Sequence, residues 1–245
     1  MTCRTASRTT RQRALYISDL DGTLLSSDGA LSDFSRTHLN GLIASGCMFT
    51  VASARSVKSM QHILLGLDLK LPIIEFNGAC ISDFATGAHL HTNAMGWNVA
   101  DLAIGEAAAS GVAPFYSTIA DGEDLLFPAE ERNAGMEWYR QDRIDHRDPR
   151  LQTDPWTDAH RDTHELICLN FIDREARLKH LEGALKANSI IRGSTALSLF
   201  ENPYDPGWYW LSIHDVRAQK HVAARQVLDL YADGAGELVV FGDNL

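Results

Sequence analysis

Asp19-Leu20-Asp21-Gly22-Thr23 is the segment of this sequence best equipped for chemistry. Two carboxylates two residues apart on a glycine turn can approach one phosphate and do different work there. One can attack phosphorus and form an aspartyl phosphate; the other can protonate the leaving oxygen and later activate water. A carboxylate nearing a phosphate dianion is repelled, so such chemistry calls for a divalent cation with oxygen ligands, most naturally Mg2+. The competing reading is a calcium loop. An EF-hand beginning at Asp19 wants Glu at its last position, where Ala30 stands, and a helix rather than a strand before it.

Catalytic carboxylates need rigid elements behind them. Residues 14–18 form a short apolar, β-prone run that stops at Asp19, as a buried strand ending in a functional loop does. Residues 32–45 carry Phe34, Leu39, Leu42 and Ile43 at helical spacing, with Ser32 as N-cap and Gly46 as stop. A strand at 47–52, a helix at 56–65 and a strand at 73–76 complete a β-α-β-α-β alternation. That order predicts a parallel sheet with right-handed crossovers, whose strand ends carry Asp19, Ser53 and Asn77 to one ligand-binding edge.

The alternation then breaks. Residues 80–91 read as a hairpin about Thr86 and Gly87. From 92 to 214, helical patterns at 99–109, 130–140 and 174–187 mix with strand patterns at 115–119, 125–127, 165–172, 196–201 and 208–214. The polar stretch 142–163, with Pro149 and Pro155, reads as a long loop. A helix at 218–232 and a strand at 238–241 resume the first pattern. The expected fold is α/β: a Rossmann-like parallel-sheet core of residues 14–91 and 215–245, with an α+β cap domain inserted at 92–214 and a disordered tail at 1–13.

Composition narrows the partners. With 245 residues, 45% hydrophobic and 22% charged, the chain has material for a sizeable core. A formal net charge of -10 repels polyanions, so nucleic acid is not an expected partner. Nor is a membrane, since no apolar run approaches ~20 residues. Cys3, Cys47, Cys80 and Cys168 are scattered, which argues against a zinc site or a disulfide framework and fits a reducing cytoplasm. Residues 1–13 lack the apolar stretch of a secretory signal, although an organelle transit peptide shares their composition.

Asp19 to Thr23 resembles the first motif of the haloacid-dehalogenase-like hydrolases, and three further segments match in order. Val51-Ala52-Ser53-Ala54-Arg55 is similar to the second motif, Lys220 to the third, and Gly242-Asp243 to the start of the fourth. The position of the insert and Asn77-Gly78-Ala79 resemble the Cof-type, sugar-phosphatase-like branch with its C2-type cap. The resemblance implies that Asp19 is nucleophile and metal ligand, and that Asp21 is general acid and base while holding metal through its backbone carbonyl. It implies that Ser53 bonds the phosphoryl oxygen; as a residue type ahead of a helix Ser53 also reads as an N-cap, a compatible role. It further implies that Lys220 neutralises developing charge, and that Asp243 completes a Mg2+ site. Gly22, Thr23, Ala54, Arg55, Asn77 and Gly78 would line the phosphate, and the substrate would be a small phosphorylated metabolite.

Departures from the pattern are equally visible. Ala54 and His221 stand where glycine is usual, which would narrow the site. The fourth motif reaches only Asn244 and Leu245, without the second acidic residue, so a truncated chain with an uncovered sheet edge and impaired metal binding is expected. Two rivals therefore stay open: a phosphomutase using the same intermediate, and a silent phosphometabolite-binding protein. His89 and His91 share one strand face, which is read as solvated, and Trp208, Tyr209 and Trp210 are read as cap packing.

Overall fold

Strand β1 (Arg13–Asp19) sends Leu15 and Ile17 to one face of its sheet and Tyr16 to the other. Each fully buried Leu or Ile contributes roughly 2 kcal/mol of apolar burial, so this short strand is fixed from both sides. The computed structural model describes residues 13–128 and 133–243. Of the expected tail at 1–13, residues 1–12 lie outside them, as do Asn244 and Leu245, whereas Arg13 already opens β1.

After β1 come α1 (Asp33–Ala44), β2 (Met48–Ala52), α2 (Val57–Ile63) and β3 (Ile73–Glu75). β4 (Cys80–Ser82) and β5 (His89–Thr92) form the hairpin. The later elements α7 (Lys220–Tyr231) and β11 (Ala235–Phe241) return to the same sheet, whose order is β11-β1-β2-β3-β4-β5. The β11, β1, β2 and β3 pairings are parallel, and those of β3 with β4 and β4 with β5 are antiparallel. Ile43, Val57 and Met60 cover one face; Ala223, Ala224, Val227 and Leu228 of α7 cover the other. β11 is an edge of the described sheet, with Val240 and Phe241 exposed.

Between β5 and α7 run α3 (Trp97–Ala109), β6 (Phe115–Ala120), β7 (Glu123–Phe127), α4 (Ala134–Asp145), β8 (Glu165–Asp173), α5 (Glu175–Ala187), α6 (Ser189–Ser194), β9 (Thr195–Glu201) and β10 (Tyr209–Asp215). Their strands make an antiparallel sheet of order β7-β6-β8-β10-β9. Residues of α3, α5 and α6 pack with β8 and β10 in one apolar cluster. Trp210 stands edge-on to Tyr139, and the Arg174 guanidinium lies over the Trp208 ring, so these aromatic residues pack the inserted unit as expected. Phe76, Ala79 and Cys80 of the first sheet's region share a cluster with Ile119 and Ile167 of the second, joining the two halves.

Several elements depart from expectation, among them β11, which begins at Ala235 rather than 238. α4 continues through Asp145 into the stretch read as loop, and a short 3-10 turn (Asp158–Asp162) interrupts the rest of it; of the expected 130–140 helix, residues 130–132 lie outside the described residues. α6 was not anticipated, being only six residues with an internal glycine. No helix among the described residues is long and apolar enough to cross a membrane.

Candidate active site

The end of β1 delivers Asp19 to a tight loop in which Gly22 adopts φ +76°, a left-handed conformation that costs glycine little. Asp19 Oδ1 accepts the Leu20 amide at 2.7 Å. Its Oδ2 accepts from Lys220 Nζ at 2.6 Å, across 201 residues of sequence. Lys220 is the first residue of α7, so both partners are placed by element ends rather than by flexible loops. A Cβ on Gly22 would fall 2.5 Å from Asp243 Oδ2; only glycine lets the carboxylate beyond β11 lie against this turn.

Asp21 has different company. Arg55 Nε and Nη2 donate to its two oxygens at 2.9 and 2.7 Å, a bidentate pair. Tyr204 Oη, from the loop between β9 and β10, donates to Oδ1 at 3.0 Å. Burial alone would raise the Asp21 carboxyl, but the Arg55 hydrogen bonds and charge, with help from Tyr204 and Lys220, hold it below the usual carboxylate range. Arg55, expected to line the phosphate, thus grips Asp21 in this arrangement. Tyr204 was not anticipated; it lies 183 residues from Asp21, and no local pattern marks it.

The second segment follows β2. Ser53 is buried and its Oγ accepts the Arg55 amide at 3.1 Å. It does not cap α2: Ser56 is the N-cap, accepting from the Ser59 amide. That corrects the expected double role, because residues 53–55 form an extra turn before the helix begins. Ala54 is exposed. The Thr23 hydroxyl is buried without a hydrogen-bond partner among the described residues.

After β3, Asn77 takes φ +57° and Gly78 φ +100°. The Asn77 amide donates to the Ser53 carbonyl at 3.0 Å, tying the two loops together. A Cβ on Gly78 would meet the Gln219 backbone at 2.6 Å, so close approach at Gly78 sets where α7, and with it Lys220, starts. Asp19, Asp21, Ser53, Lys220 and Asp243 are therefore held in one neighbourhood by three strand ends and one helix start.

The oxygen-rich donor set on this turn fits a hard cation. The Asp243 carboxylate is packed against Gly22, and the Asp19 carboxylate lies on the same turn.

The solvated strand face fails for His89, whose side chain is 8% exposed and lies between Glu75 and Asp124; His91 is half-buried, its Nε2 contacting Tyr231 Oη at 2.8 Å.

The model of the haloacid dehalogenase-like hydrolase family matches residues 16–245. The chain belongs to that family. Solved structures share its fold at low identity. One is a protein from Bacteroides thetaiotaomicron, studied among phosphatases of the haloalkanoate superfamily; it is 18% identical, with TM-score 0.68 over 98% of this chain and 80% of that one. A haloacid dehalogenase-like hydrolase from B. subtilis is 15% identical, with TM-score 0.71 over 94% and 83%. A subclass IIB sugar phosphatase is 14% identical, with TM-score 0.66 over 94% and 80%. The Rossmann-like core with an inserted cap, and the resemblance to the Cof-type branch, agree with these findings.

Proposed function

We propose that the chain is a cytoplasmic Mg2+-dependent phosphatase of a small phosphorylated metabolite, a sugar-phosphate-like monoester, working through an aspartyl phosphate on Asp19. Residues 14–91 and 215–245 act as the core domain in this reading, and 92–214 as the cap that selects substrate. The observation that carries it is the Asp19–Lys220 contact at 2.6 Å beside Asp21: a nucleophilic carboxylate with a cation at its elbow and a second carboxylate within the same turn.

Asp19 attacks phosphorus and the bond from phosphorus to the ester oxygen breaks. The leaving oxygen takes its proton from Asp21. Water, giving a proton back to Asp21, then cleaves the acyl phosphate and releases inorganic phosphate. Lys220 counters charge on the transferring oxygens, and Ser53 donates its hydroxyl to one of them. Asp21 must be protonated for the first half, which its pairing with Arg55 opposes. An incoming phosphate offers Arg55 a competing bidentate partner, so substrate binding itself loosens Arg55 and lets Asp21 acquire the proton. Asp19, the Asp21 carbonyl and Asp243 would hold Mg2+, which when bound offsets repulsion between carboxylate and phosphate.

The test is phosphate release from a panel of small phosphomonoesters, with and without Mg2+, by the wild type and by Asp19→Asn. The expected result is Mg2+-dependent turnover of part of the panel, reduced at least about 1,000-fold in the variant. Equal release by both proteins would reject the assignment.

A further inference from the structure

Glu75, at the end of β3, is fully buried, and its carboxylate is heavily used. Its Oε2 accepts the amide of Val57, the first residue of α2, and its Oε1 accepts the Ser82 hydroxyl. His89 Nδ1 lies 3.1 Å from Glu75 Oε1 and 3.0 Å from Ser82 Oγ. The other ring nitrogen, Nε2, faces Asp124 Oδ1 at 3.2 Å. Asp124 belongs to β7, in the cap hairpin, and its side chain is 1% exposed. Neither Asp124 oxygen has a hydrogen-bond donor among the described residues, so the imidazole is the counter-charge that meets it. A histidine of the core sheet is thus clasped between two buried carboxylates, one from each half of the molecule.

Two buried carboxylates without a cation between them are strongly unfavourable. We propose that His89 is the pin of a proton-held latch: bridging Glu75 and Asp124, its imidazolium fixes the closed cap and relays that position through Glu75 to the start of α2, directly behind Ser53 and Arg55. Glu75 and Asp124 act as positioning residues, remote from substrate. The latch rests on the proposed function only in that substrate enters when the cap opens.

The charged and titratable groups around the pin are Glu75 of β3, the Cys80 thiol of β4, Lys58 of α2, Asp124 and Glu123 of β7, and Arg150. Lys58 and Glu123 pair with one another at 3.2 Å, giving a second, more exposed link between the halves. Arg150 is held by Asp148. A cleft of about 230 Å3 is lined by Lys58, Glu123, Asp124 and Arg150, among others, on the Asp124 side of the pin. Burial alone would lower the His89 imidazolium, but the close Asp124 and Glu75 carboxylates outweigh it and push it up to about 10. A value raised in the closed form means that the latch is intact below the ordinary histidine range and fails as pH rises through about 10. An open cap removes Asp124, so proton loss and opening favour each other.

The experiment compares the full-length wild type with Asp124→Asn and His89→Asn. NMR titration of the His89 ring is expected to show it protonated well above the ordinary histidine range in the wild type and shifted toward that range in Asp124→Asn. Hydrogen exchange at fixed pH is expected to quicken in Asp124→Asn both at the β6–β7 hairpin and at residues 53–57. With a turned-over substrate, KM is expected to rise roughly tenfold while kcat stays within about twofold, as a closed-state population falls. Ordinary His89 titration in the wild type, or faster exchange confined to the hairpin, would overturn the latch. So would Zn2+ raising the Tm of the wild type but not of His89→Asn, which would make Glu75, Cys80 and His89 a metal site instead. Titration and exchange need no turnover; a wild type that hydrolyses nothing would reject the phosphatase reading while leaving the latch to be judged by them.

Discussion

Asp19 and Asp21 are chemically identical side chains two positions apart, and their neighbours divide the labour between them. Lys220 takes one oxygen of Asp19, whereas Arg55 takes both of Asp21, with Tyr204 added. Burial is the largest single influence on Asp21 and would raise it; the Arg55 hydrogen bonds and charge, with Tyr204 and Lys220, together outweigh it and hold the carboxyl low. In Arg55→Met that burial effect is left opposed only by Tyr204 and Lys220, so the Asp21 carboxyl rises. Because the first half needs Asp21 protonated, the basic limb of the kcat/KM profile moves to higher pH. A profile whose basic limb stays in place would show that Asp21 protonation does not control activity. The sequence marked Asp19, Asp21 and Lys220 as candidates because motif order survives without geometry. It could not reveal that Arg55 turns to Asp21, 34 residues away, since the pairing depends on how two strand-end loops are brought side by side.

Elements were legible where apolar spacing carries through a whole segment. β1, α1 and β2 fall within a residue or so of expectation because Leu15, Ile17, Ile43 and Val51 must all be buried. The N-cap of α2 was misplaced by three residues, since Ser53 and Ser56 are equally good caps as residue types and only the loop path separates them. His89 was misread for the same kind of reason: its burial is supplied by Asp124, 35 positions on and part of another sheet, as the positions in the sequence show. The contact between the Gly78 turn and the start of α7 carries its own consequence. In Gly78→Ala, a left-handed φ and a Cβ driven into the Gln219 backbone cost about 2 kcal/mol or more, and α7 must shift with Lys220 on it. A lower denaturant midpoint together with reduced phosphate release is expected; an unchanged midpoint would mean that the close approach is relieved without cost.

At the scale of the molecule, two sheets of different construction meet around one site. The six-stranded sheet carries Asp19 and Asp21 at the end of β1, and the five-stranded unit reaches Asp21 through Tyr204 and His89 through Asp124. The motif residues were readable while the contacts of the inserted unit were not, because long-range contacts leave no period in a sequence. The central claim is covalent attack by Asp19, and it is tested most directly by mixing enzyme, Mg2+ and a turned-over phosphomonoester, quenching in acid within the first turnovers and mapping peptides by mass. A phosphoryl group on the peptide bearing Asp19, absent in Asp19→Asn, is the predicted result. Steady phosphate release with that peptide never phosphorylated, and with the variant equally active, would contradict it.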